Sequence, residues 1–226
     1  MDLTRRNFLK ISGAGAALAM GLPSLRALAG ERMPATIAEA GQWLRNGSLT
    51  AAKLTTAYLA GIKKMEPKLN AFITLTEAQA MMSAISLDGE LKAGRDRGPL
   101  HGIPIVYKDL YDTAGIPTTV GSEFFRKRIP KEDATVVSRL REAGAIMLGK
   151  TNMNEFAAGI SGTNQFFGDT HNPWNLERAP GGSSSGKGTA IAAGLCLGEG
   201  VRTRAVQFWY PRAGWALSAS GPRTAG

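Results

Sequence analysis

The chain has 226 residues with a net charge of +9, and 43% of its side chains are hydrophobic against 20% charged. That length can bury a sizeable core, and that balance excludes disorder, collagen and coiled coil. The single cysteine, Cys196, excludes an intramolecular disulfide and a cysteine-rich zinc site. The histidines, His101 and His171, lie too far apart to form a local metal motif. No metal and no cofactor is called for.

The positive charge sits at the ends. Residues 1–30 carry a net +3, residues 201–226 carry +4, and residues 31–200 carry only +2. A nucleic-acid partner needs clustered charge on the folded body, so none is expected.

At the N-terminus, Arg5 and Arg6 are followed by Phe8-Leu9-Lys10, an apolar stretch from Ile11 to Leu22, and Ala27-Leu28-Ala29. A positive region, a short apolar region and a small-residue site make a signal peptide. The paired arginines resemble a twin-arginine export signal. The apolar stretch is too short to span a bilayer, so no stable membrane anchor is expected. Residues 1–29 are therefore read as a signal that engages the twin-arginine export machinery. Cleavage after Ala29 would deliver the body to the periplasm or outside the cell.

Thr36 is placed to cap a first helix, with Ile37, Ala40, Trp43 and Leu44 on one face. Thr50 is placed to cap a second, in which Leu54, Tyr58, Ile62 and Met65 recur at helical spacing; Pro67 is expected to end it. Residues 70–75 alternate as a strand, 76–93 read as a helix, and 94–99 as a charged turn. Residues 100–109 read as a short buried strand ending in Lys108, 133–143 as a helix, and 145–149 as a strand. Residues 159–180 form a long loop, of a length that is usually functional or disordered. Residues 181–186, Gly-Gly-Ser-Ser-Ser-Gly, then open onto an alanine-rich helix over 189–195. Strands alternating with helices predict an α/β fold.

The glycine- and serine-rich run admits three readings. Gly181, Gly186 and Lys187 resemble the start of a phosphate-binding P-loop, but Gly188 stands where a Ser or Thr would hold Mg²⁺, and 175–180 is no strand. A flexible linker is the second reading. The third is a serine hydrolase, in which a serine hydroxyl needs a base and a desolvated lysine such as Lys108 supplies it.

Four segments extend the third reading: residues 100–109 (LHGIPIVYKD), 149–156 (GKTNMNEF), 172–175 (NPWN) and 180–186 (PGGSSSG). Together and in this order they resemble the amidase signature family, over residues 35 to 198. The resemblance implies a mixed sheet flanked by helices and a Ser–cis-Ser–Lys triad that hydrolyses a small-molecule carboxamide through an acyl-serine. By motif, Lys108 matches the basic lysine and Ser183 the bridging cis-serine. Ser185 stands where the family usually has Gly, and Lys187 is also unusual, so extra side chains are expected to crowd the loop. An exported location argues against a tRNA-dependent role.

The family's nucleophile closes a Gly-Thr-Asp-Thr-Gly-Gly-Ser motif that also supplies the oxyanion amides, and its serine should fall at 207. This chain has Gln207. Codons for Val201 to Gln207, each read from the preceding codon's third base, admit Gly, Thr, Asp, Thr, Gly, Gly and Ser in order, and Phe208-Trp209 admit Ile-Leu. Residues 199–226 are therefore expected to be an out-of-frame, unrelated tail that does not pack as family core. Residues 30–198 are expected to be the N-terminal part of a truncated amidase domain. The chain as given is expected to be inactive. The rivals are a non-catalytic pseudoenzyme or fragment and a P-loop-like nucleotide binder.

Overall fold

The computed structural model describes residues 33–198. The expectations for the signal and its cleavage site, and for the tail beyond 198, lie outside the described residues.

Two threonines start the fold as the sequence predicts. The Thr36 and Thr50 hydroxyls accept the backbone N–H of Glu39 and Lys53, each at 3.1 Å, and so cap α1 (Ile37–Arg45) and α2 (Ala51–Leu69). Each cap satisfies one of the donors that a helix start leaves without a partner. Pro67 does not end α2. It lies exposed in the last turn, where it forfeits one hydrogen bond, while buried Leu69 continues the stripe of Leu54, Tyr58, Ile62 and Met65 into the core. Asn70, in the left-handed conformation at φ 46°, closes the helix instead.

The Glu66 carboxylate then accepts the backbone N–H of Ala71 (3.1 Å) and Phe72 (2.8 Å), which fixes the turn into β1 (Phe72–Leu75). Burial outweighs these two bonds and pushes the carboxyl up to about 7.

Three strands form one mixed sheet in the order β1-β3-β2, as expected of the fold class. β2 (Pro104–Lys108) runs parallel to β3 (Ile146–Thr151), and β1 runs antiparallel to β3 on its other side. β2 starts later than the predicted strand, because the chain from Gly98 to Ile103 makes turns that bond to themselves and to Gly144. β3 runs two residues beyond its apolar stretch. Its Lys150 and Thr151 pair with Tyr107 and Lys108 on one side and with Thr74 and Phe72 on the other.

α3 (Glu77–Lys92) packs on α2 and β3, and α4 (Thr135–Glu142) leads into β3. α5 (Ser185–Ala192) packs on β2 and β3. This last helix begins inside the serine run rather than at residue 189, and it stops at Ala192 because Gly194 turns left-handed at φ 73°. Residues 159–180 contain no helix or strand, as predicted, and 175–180 supply no strand for a P-loop.

Candidate active site

The turn from loop to α5 is held against the ends of β1 and β3 by backbone contact. Gly186 donates its N–H to the Asn152 carbonyl (2.9 Å), and Asn152 donates its N–H to the Ala71 carbonyl (2.8 Å). A Cβ on Gly186 would run into both Ala71 and Asn152, and one on Gly182 would run into the Asn154 side chain. Both glycines are therefore required by close approach.

Asn154 frames the same loop. Its backbone N–H bonds the Ser183 carbonyl at 3.2 Å, its Nδ2 donates to the Thr163 carbonyl, and its Oδ1 accepts from the Gly162 N–H. The Gly182–Ser183 peptide bond is cis.

This framework brings the two residues singled out in the sequence into contact. Lys108 Nζ donates to Ser183 Oγ at 2.8 Å. Lys108 is 2% exposed and Ser183 9%, so the pair is shielded from bulk water. A buried amine bonded to a serine hydroxyl can pass a proton to or from that hydroxyl.

The neighbouring serines differ. The Ser184 Oγ is buried with no hydrogen-bond partner. Ser185 finds partners within the loop: its Oγ is buried and bonds Thr170 Oγ1 at 3.1 Å and the Asn152 carbonyl at 3.4 Å.

The sequence reading missed a second buried lysine. Lys150 is fully buried on β3; its Nζ donates to the Tyr111 carbonyl and to Thr118 Oγ1, both at 2.7 Å, and lies 3.5 Å from Asp109 Oδ1. Burial pushes Lys150 down to about 8 and pushes the Asp109 carboxyl up. A lysine amid the branched residues of a buried strand was the available signal, since such a residue needs partners.

The histidines serve the backbone. His101 Nδ1 accepts the Arg97 N–H and Nε2 faces the Leu87 carbonyl, while His171 Nδ1 faces the Leu176 carbonyl. Among the described residues no three His, Cys, Asp or Glu side chains gather as a metal site, and no helix is long and apolar enough to cross a membrane.

Residues 53–199 match the Amidase family, and residues 2–21 match the TAT (twin-arginine translocation) pathway signal sequence. The chain is 47% identical over 162 residues to a subunit of the glutamyl-tRNA(Gln) amidotransferase of Marinomonas sp. strain MWYL1. That match covers 72% of this chain but 33% of the relative, so the matched segment spans about a third of the relative's length. Among solved structures, the native peptide amidase of Stenotrophomonas maltophilia superposes with a TM-score of 0.68 at 41% identity, over 71% of this chain and 34% of that one. A fatty acid amide hydrolase superposes with a TM-score of 0.70 at 26% identity, over 78% and 30%. The chain belongs to the amidase family and carries a twin-arginine signal sequence at its N-terminus.

Proposed function

We propose that residues 30–198 are the proton-relay portion of an exported amidase that hydrolyses a small-molecule carboxamide to a carboxylate and ammonia or an amine. The observation that carries this reading is the buried 2.8 Å bond from Lys108 to Ser183. In the complete reaction a serine at position 207 loses its proton through Ser183 to Lys108 as its oxygen attacks the amide carbon. Backbone N–H groups beside that serine hold the oxyanion. The proton then returns through Ser183 to the leaving nitrogen; water next attacks the acyl carbon, passing a proton through Ser183 to Lys108, and that proton returns to the serine oxygen as the ester bond breaks.

Gln207 has no nucleophile to offer, so the chain as given does not turn over amides. The out-of-register reading of codons 201–207 supports a one-base frameshift near residue 199 as the reason. The twin-arginine signal supports delivery to the periplasm or beyond, with cleavage after Ala29. Two measurements test the proposal. The coding DNA across codons 195–207 should spell Gly-Thr-Asp-Thr-Gly-Gly-Ser in the neighbouring frame, and ammonia release should appear when one base is inserted near codon 199. An unrelated neighbouring frame, or amide turnover by the chain as given, overturns it.

A further inference from the structure

The chain leaves β2 directly after Lys108 and wraps around the Lys150 ammonium. Lys150 Nζ holds the Tyr111 carbonyl and the Thr118 hydroxyl, two points on either side of the loop tip, and lies 3.5 Å from Asp109 Oδ1. Asp109 ties down the returning strand of the same loop. Its Oδ2 accepts the Thr119 backbone N–H at 2.8 Å and the Thr119 hydroxyl, and its carbonyl accepts the Val120 N–H at 3.0 Å. Its own N–H bonds the Thr151 carbonyl at 3.2 Å, and the Tyr111 N–H bonds the Lys108 carbonyl at 3.1 Å. Each of these bonds on the backbone leaving Lys108 thus involves Asp109, a residue held by Lys150, or the strand residue next to Lys150. Both charged side chains are fully buried, an expensive arrangement unless each answers the other.

We propose that Lys150 and Asp109 are a positioning pair that locks the 109–120 loop and thereby holds Lys108 Nζ on Ser183 Oγ. The inference rests on the reading of Lys108 and Ser183 as the proton relay. Lys150 touches neither relay residue in the bonds it makes; it acts through the backbone. Loss of either charge leaves the other buried without its partner, which opens the loop locally and frees Lys108 to solvent.

The test uses the 226-residue chain as it is. Acetic anhydride labelling of Lys108, read by mass spectrometry, is compared with thiol modification of buried Cys196, which reports opening of the core as a whole. In Lys150→Met, Lys108 acetylation should rise at least about tenfold while Cys196 modification stays as in the parent. Asp109→Asn keeps the side-chain volume and an acceptor for Thr119, and should give the same selective rise. An unchanged Lys108 rate in both variants overturns the proposal. So does a parallel rise of Lys108 and Cys196 in both, which would make the pair a general support of the fold. Ser183→Ala separates the two levels: if Lys108 labelling is indifferent to it, the relay reading fails whatever Lys150 does.

Discussion

Lys108 and Ser183 lie 75 positions apart in the chain and share a buried hydrogen bond of 2.8 Å. One ends the parallel strand β2; the other precedes α5 on a loop pinned by Asn152 and Asn154. The bond gives the two adjacent serines opposite expectations. Ser183→Ala strips a partner from a buried lysine and should cost about 1–3 kcal/mol in urea unfolding. Ser184→Ala removes a buried hydroxyl that bonds nothing and should be neutral or stabilising by up to about 1 kcal/mol. Equal costs at both positions would refute the assignment of partners.

Close approach at α5 makes a second contrast, between two glycines. Gly186→Ala drives a Cβ into the Ala71 carbonyl and the Asn152 backbone, and should destabilise by about 3 kcal/mol or more. Gly89→Ala lies inside α3 with open space around the new methyl, and should stabilise by about 0.5–1 kcal/mol. Chemical denaturation of both variants beside the parent checks the pair of signs.

Glu66 predicts a pH dependence. Its carboxyl is raised in the fold, to about 7 from 4.5, so the native state binds the extra proton between those values. Its contribution is complete below about pH 4.5 and is lost as pH rises through 7, a decline on the order of 2 kcal/mol. The carboxyls of Glu90, Asp96 and Asp112 are held low by Arg97, Arg45 and Arg128, so their contributions fade only at more acidic pH. Unfolding free energy measured from pH 5 to 7 should therefore fall in the parent and fall less in Glu66→Gln. The same slope in both would exclude Glu66 as the source.

Export supplies a prediction independent of the fold. Replacing Arg5 and Arg6 together by Lys in a signal–reporter fusion should abolish export, because the paired arginines are what the twin-arginine route reads. Reporter activity outside the cytoplasm at the parent level would refute the route.

Much of this architecture was legible because local signals agreed with the tertiary outcome. Thr36 and Thr50 cap where side-chain chemistry says they should, and the apolar run before Lys108 became the fully buried strand β2. The misreadings have physical causes. Pro67 reads as a stop, yet the helix runs two residues past it and ends with Leu69 buried in the core. Ser185 reads as an intrusion, yet its hydroxyl pairs with that of Thr170, fifteen positions earlier. Lys150 directly follows the predicted strand 145–149, which signals burial but not its partners. Its partners come from residues 109–118, and no local periodicity foretells which backbone carbonyl will meet a buried ammonium.

Ammonia release from simple aliphatic and aromatic amides tests the relay most directly. It compares the chain as given with a version carrying one inserted base near codon 199, and with Lys108→Ala and Ser183→Ala in that second version. The chain as given should release none, the restored version should turn over, and either alanine should remove nearly all of its rate, because members of a triad act as a unit. Circular dichroism should show each variant folded. Turnover by the chain as given, or undiminished turnover in the restored version without Lys108 or Ser183, would contradict the relay assignment.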